Sequence, residues 1–169
     1  CSKKSRKSER KKHCSEIHLS LQYLSRSIMI CNYEELEFFD PKTSRRAKIY
    51  RTVVRVQLIK RGFKLFPIDC LIDSGADTII FPTDLAHYFK VNYKKGYETE
   101  FRVADGGSAK LFEMPYEKHQ IDLFVDDVRI KEKIHFSQGQ KIPLLGQDFF
   151  KYFKITFQRA KKKFSLEAV

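Results

Sequence analysis

An all-β fold with one or two short helices is predicted for this 169-residue chain by three observations. Ile49, Arg51, Val53, Arg55, Gln57 and Ile59 alternate against Tyr50, Thr52, Val54, Val56 and Leu58, the period of two of an extended strand. Short apolar runs recur further on, punctuated by turn residues at Arg61-Gly62, Asp105-Gly106-Gly107-Ser108 and Asp126-Asp127. Fifteen Phe and eight Tyr, with no Trp, favour strands and a packed interior. A chain of this length builds one domain around a single core.

The N-terminal part departs from that pattern. Residues 1–28 hold eight Lys/Arg against Glu9 and Glu16, in a chain whose net charge is +12. Residues 1–16 are basic and Ser-rich with no apolar period, and are expected to be disordered. Charge alone would draw residues 1–28 to nucleic acid or another anionic surface. No aromatic side chains are interleaved over residues 1–16, so nucleic acid is a disfavoured partner. Cys1, His13, Cys14 and His18 do not have the spacing of a compact zinc unit. Residues 17–40 read as strand or helix. The expected division is a basic extension over 1–45 and a folded domain over 46–169.

Four cysteines, at positions 1, 14, 31 and 70, are too scattered for a disulfide framework. Cys70 sits in an apolar run and is expected in the core. No apolar stretch approaches the ~20 residues of a membrane-spanning helix, and no signal-peptide pattern is visible. The chain begins with Cys rather than Met. Two readings follow: a mature lipoprotein terminus at Cys1, and, preferred, an over-extended reading frame with Met29 as its start. The cytoplasm is the favoured compartment, with a lipid-anchored cell envelope if Cys1 is a lipoprotein terminus.

The central element is Cys70-Leu71-Ile72-Asp73-Ser74-Gly75-Ala76. Phe63, Leu65, Pro67 and Ile68 lead out of the Arg61-Gly62 turn into an apolar strand that stops on the carboxylate of Asp73. Gly75 permits a tight turn and frees its N–H to approach that carboxylate; Ser74 can pass a hydroxyl bond across the turn. An Asp-Ser-Gly surface turn in an ordinary hairpin is the competing reading. Asp77 to Pro82 resume a strand. Pro82 or Thr83 then opens a short helix with Leu85, Ala86 and Phe89 on one face, and His87 on its surface.

Residues 97–112 predict a second hairpin with its tip at Asp105-Gly106-Gly107-Ser108, where adjacent glycines allow close approach to a ligand. Ile121, Leu123 and Val125 pair with Val128, Ile130 and Ile134 across Asp126-Asp127. After Ile142-Pro143-Leu144-Leu145-Gly146, Asp148 is expected to cap a short helix through Phe149 and Phe150. Ile155-Thr156-Phe157 and Phe164-Ser165-Leu166 close the chain as a hairpin.

In this order, Leu71-Ile72-Asp73-Ser74-Gly75-Ala76 is followed about 30 residues on by the Gly-tipped hairpin and about 70 residues on by Leu144-Leu145-Gly146-Gln147-Asp148-Phe149-Phe150. Over residues 46–169 the chain resembles the retropepsin-like aspartic proteases. The resemblance implies a closed, barrel-like all-β acid-protease fold with a flap hairpin. It implies Asp73 as the catalytic residue, Ser74 and Gly75 as support of the active-site turn, and Ala76, Asp77, Asp105, Gly106 and Gly107 against substrate, the last three in the flap tip. The family often carries Arg where this chain has Gln147, which puts the ion pair bracing the active-site loop in doubt.

Aspartic proteolysis needs two carboxylates on one water, one ionised and one protonated. This chain has one convincing Asp-Ser-Gly and is too short for two lobes. A homodimer with paired Asp73 carboxylates, acting as an endopeptidase on peptide or protein substrates, is therefore expected. The chemistry calls for no cofactor and no metal, and no His or Cys cluster neighbours Asp73 in sequence. The alternative is a non-catalytic retropepsin-like module that binds peptides or mediates dimerisation.

Overall fold

Strand formation begins earlier than residue 46. The computed structural model describes residues 28–40, 44–102 and 108–169. The basic tract, the Cys1/His13/Cys14/His18 set and the Asp105-Gly106-Gly107 tip lie outside the described residues. Strand β1 (Ile28–Asn32) pairs antiparallel with a C-terminal strand, Met29 opposite Leu166. Met29 and Cys31 turn toward the core while Ile28 and Ile30 stay exposed. Residues 28–40 thus resolve the strand-or-helix ambiguity as strand. The short stretch β1, expected in the extension, lies in the domain's own sheet.

Next, β2 (Glu34–Asp40) and β3 (Arg45–Arg51) form a two-stranded hairpin with acidic residues on one strand and basic residues on the other. The alternation over 49–59 is two strands, because the chain changes partners at Thr52. β3 pairs with β2, whereas β4 (Val53–Lys60) joins the main sheet. Arg61 and Gly62 turn the chain at positive φ into β5 (Phe63–Lys64), which pairs back on β4. Strand β6 (Ile68–Ile72) then runs antiparallel to β4. Ile68, Cys70 and Ile72 point inward, as the period of two demands. Burial pushes the Cys70 thiol up, so it is an inert core residue.

Strand β7 (Ile80–Pro82) feeds helix α1 (Thr83–Tyr88), which buries Ala86 and leaves His87 exposed. The second hairpin is β8 (Tyr97–Arg102) and β9 (Ser108–Met114), in register from Tyr97 opposite Glu113 to Arg102 opposite Ser108. A one-turn helix not anticipated from the sequence, α2 (Tyr116–His119), precedes β10 (Ile121–Val125) and β11 (Val128–Ile130). Ile134 is not part of that pair. It opens β12 (Ile134–Ser137), which runs antiparallel to β9 and parallel to β7. The two-residue β13 (Leu144–Leu145), helix α3 (Gln147–Phe150), β14 (Phe153–Gln158) and β15 (Lys163–Ala168) complete the chain. Among the described residues, three short α-helices stand where one or two were expected.

The main sheet runs β11-β10-β4-β6-β13-β7-β12-β9-β8, with β5 off its path on β4. It corrects one expectation: the path is open at β11 and β8, so the described residues form no closed barrel. A smaller sheet, β1-β15-β14, packs Phe164 and Leu166 into the same core. Aromatic rings fill that core edge to face, Phe81 lying 6.2 Å from Phe89 and 6.3 Å from Phe136. Among the described residues, no helix is long and apolar enough to cross a membrane.

Candidate active site

Strand β6 ends where its register ends. The N–H of Ile72 donates to Thr52 O at 2.8 Å, and the Thr52 hydroxyl donates to Ile72 O at 3.1 Å. The next N–H, of Asp73, donates to Leu145 O at 3.0 Å. The chain then turns: Ala76 N–H reaches back to Asp73 O at 3.2 Å, and Gly75 N–H donates to the Asp73 carboxylate, Oδ1, at 2.9 Å. Asp73 is half-buried, with Ser74 and Gly75 exposed beside it. The carboxylate is thereby oriented by a backbone donor at the open end of a buried strand.

The turn is clamped from below by the segment around Gly146. Strand β13 threads between β6 and β7, parallel to the first (Leu145 beside Ile72) and antiparallel to the second (Leu144 beside Ile80). Gly146 then passes so close to the turn that a Cβ there would lie 2.3 Å from Ala76 O and 2.5 Å from Thr78 O. Only glycine fits this approach. Helix α3 starts at once, and its first N–H groups go to the turn: Gln147 N–H to Ala76 O at 2.8 Å and Asp148 N–H to Asp77 O at 3.2 Å. These donors are unpaired within any helix, so the turn satisfies what the helix start leaves open. Gly146, not Asp148, is the cap residue.

Asp148 has a different job. Burial works to raise its pKa, but Lys151, whose ammonium donates to Oδ1 at 2.8 Å, outweighs that and holds the carboxyl below its ordinary value. Gln147 stands where the resemblance led one to expect Arg. Its side-chain Nε2 lies 3.5 Å from Ser74 O, so it reaches the same loop as a neutral, long contact rather than an ion pair.

Asp73, Ser74, Gly75, Ala76 and Asp77 are therefore brought together in one clamped turn, with Ala76 half-buried and Asp77 exposed. Asp105, Gly106 and Gly107 belong to the 103–107 connection of the β8–β9 hairpin, outside the described residues. Sequence reading missed a polar chain behind the turn. His135 Nδ1 lies 2.9 Å from Thr78 Oγ1, and its Nε2 lies 3.2 Å from Glu113 Oε2. Lys133 Nζ donates to the same Glu113 oxygen at 2.9 Å. The available signal was a histidine inside the apolar run Ile134-His135-Phe136. Among the described residues, no group of three or more His, Cys, Asp or Glu converges as a metal site.

A carboxylate-bearing turn between two strands, with a third strand threaded between them, places the chain among aspartic-protease folds. More narrowly, it has the retropepsin-like fold. A retropepsin-like aspartic protease from Rickettsia conorii matches with a TM-score of 0.52 at 18% identity, over 79% of this chain and 98% of that one. The EIAV protease complexed with the inhibitor HBY-793 is similar at 24% identity over 60% of this chain and 86% of its own, with a TM-score of 0.42. No protein-family model and no curated protein matches the chain.

Proposed function

We propose that the chain is an aspartic endopeptidase that works as a homodimer, with Asp73 as the catalytic residue of each copy. The observation that carries this reading is the Asp73 turn: one half-buried carboxylate, bonded by Gly75 N–H and clamped through Ala76 and Asp77 to α3. A second copy brings a second Asp73 to the two-fold axis. Two carboxylates ~3 Å apart share one proton, because both cannot ionise easily in contact. The ionised partner takes a proton from the bound water as its oxygen attacks the scissile carbonyl carbon. The protonated partner gives its proton to the carbonyl oxygen, making a neutral tetrahedral diol. Collapse breaks the C–N bond as a proton passes to the leaving amine, and the shared proton is restored.

In this reading Ser74 braces the two turns against each other, Gly75 holds the carboxylate, and Ala76 and Asp77 line the substrate's backbone. Asp105, Gly106 and Gly107 at the β8–β9 tip cover it. Asp73→Asn keeps the shape of the turn and removes the shared proton. Peptide cleavage by the wild type at mildly acid pH, at least a thousandfold (order of magnitude) lost in Asp73→Asn, together with a dimer by sedimentation, is the expected result. Equal cleavage by the two proteins refutes the mechanism. A dimer that binds peptides and cuts none leaves the non-catalytic module as the function.

A further inference from the structure

We propose that His135 is a positioning residue, a proton-dependent strut that fixes Thr78, and with it the Asp73 turn, to strand β9. Its consequence for cleavage rests on the protease reading above; its consequence for the turn does not.

The strut crosses three strands. His135 sits on β12 between β7 and β9, directly opposite Glu113 and beside Ile80, and its own N–H donates to Ile79 O at 2.9 Å. Its side chain is almost fully buried. One ring nitrogen faces Glu113 of β9, the other faces Thr78 at the end of the turn. Thr78 in turn faces the carboxylate of Asp148, whose backbone N–H already holds Asp77. The charged groups around His135 are thus Glu113 on β9, Lys133 just before β12 and Asp148 on α3. Lys151 neutralises Asp148 from the end of α3, and Lys133 does the same for Glu113.

Counting hydrogens decides what the strut does. A threonine hydroxyl has one hydrogen, and a neutral imidazole has one N–H. Glu113 is a carboxylate and accepts only, so the neutral ring keeps its hydrogen on Nε2. Nδ1 then accepts from the Thr78 hydroxyl, and Thr78 has nothing left to give Asp148. A proton added at Nδ1 reverses that bond: Nδ1–H donates to Thr78 Oγ1, and the hydroxyl hydrogen turns to Asp148. Both states are satisfied, but only the protonated one ties Thr78 to α3 by a charge-assisted bond. The tie from Thr78 to α3 is therefore gained as pH falls, while charging the buried ring works against the fold as a whole. Burial pulls the His135 pKa below its ordinary value, while Glu113 pulls the other way. The change falls on the acid side of the usual histidine range, where a shared-proton carboxylate pair also operates.

The test uses the full chain and reads the ring directly. Histidine ¹⁵N spectra are recorded from pH 7.5 to pH 4.5, with amide exchange at Gln147 and Asp148, whose N–H groups report the clamp. The expected result is an Nε2–H tautomer at neutral pH that gains a proton at Nδ1 on acidification, with slower exchange at both amides. Glu113→Gln, a conservative change, should lower the midpoint of that titration. Thr78→Val should abolish the pH dependence of exchange and lower kcat roughly tenfold with KM within about twofold. His135→Asn, which keeps a group toward Thr78, should restore exchange protection that His135→Leu loses, without its pH dependence. A ring that stays Nδ1–H, or amide exchange unaffected by both Thr78→Val and His135→Leu, overturns the proposal. If the wild type cuts no peptide, the protease reading fails, and the spectra still decide the strut.

Discussion

His119 makes a quantitative prediction for acid stability. It is fully buried at the end of α2. Ile121 N–H donates to its Nδ1 at 2.9 Å, so the ring hydrogen is on Nε2, which reaches Glu132 O at 3.0 Å. A proton on Nδ1 would point at another N–H. Burial accordingly pulls the pKa down to about 4, against a weaker upward pull from the Glu132 carbonyl. In the unfolded chain the value is about 6.5. The folded-state value is the lower one, so the unfolded chain binds the proton first and stability falls as pH drops from 6.5 toward 4. Linkage puts the loss between pH 7 and pH 5 at about 2 kcal/mol, rising to about 3 kcal/mol at pH 4. His119→Asn keeps an acceptor for Ile121 N–H and cannot titrate. Urea unfolding of both proteins at one protein concentration, at pH 7 and pH 5, isolates this group because every other titrating residue is shared. The variant should be less stable at pH 7 and lose about 2 kcal/mol less than the wild type on acidification. Equal losses in the two proteins would refute the assignment of a neutral, buried His119.

Further outcomes follow from packing and charge. Gly146→Ala must push the backbone of Ala76 and Thr78 away. It should cost more than ~2 kcal/mol in urea unfolding and speed amide exchange at Gln147. Phe149→Ala empties a fully buried site beside Phe153 and should cost about 3–5 kcal/mol. Arg55 and Asp69 form a two-pronged pair, but their side chains are 70% and 48% exposed. Arg55→Ala should leave the denaturation midpoint unchanged within error. Asp122→Ala is the contrast. That carboxylate is buried and accepts from Tyr116 and Arg129, and stranding its partners should cost ~1–3 kcal/mol.

What is legible in the sequence is what local rules control. From Ile68 to Tyr88 the alternation, the Asp-Ser-Gly turn and the Pro-led helix are all read from neighbouring residues and lie as expected, but the strand expected over 77–82 is confined to Ile80–Pro82 because the segment before it belongs to the clamped turn. The threading of Leu144-Leu145 between β6 and β7 is not local, because two apolar residues carry no sign of which strands will flank them. That placement also explains the misread helix cap: Asp148 follows capping statistics, but Gly146 is pressed onto the turn, and the helix has begun by Gln147. His135 is hidden for a similar reason. Alternation puts it on the face opposite Ile134 and Phe136, yet all four residues of β12 are buried, so both faces of this strand are covered and alternation does not separate core from surface there. The open sheet and the β1–β15 pairing likewise depend on ends of the chain that local patterns do not connect.

The threading of β13 also sets an order of events during synthesis. Ile72 and Leu145 are sheet neighbours about 70 residues apart in sequence. Contacts of such long range form slowly and late. A chain still emerging from the ribosome has β6 and the Asp73 carboxylate long before it has Gly146 to seat the turn. Unfinished chains therefore carry the acid without its mount. On the protease reading, cutting power arrives only after Leu145 and Gly146 have been made and seated.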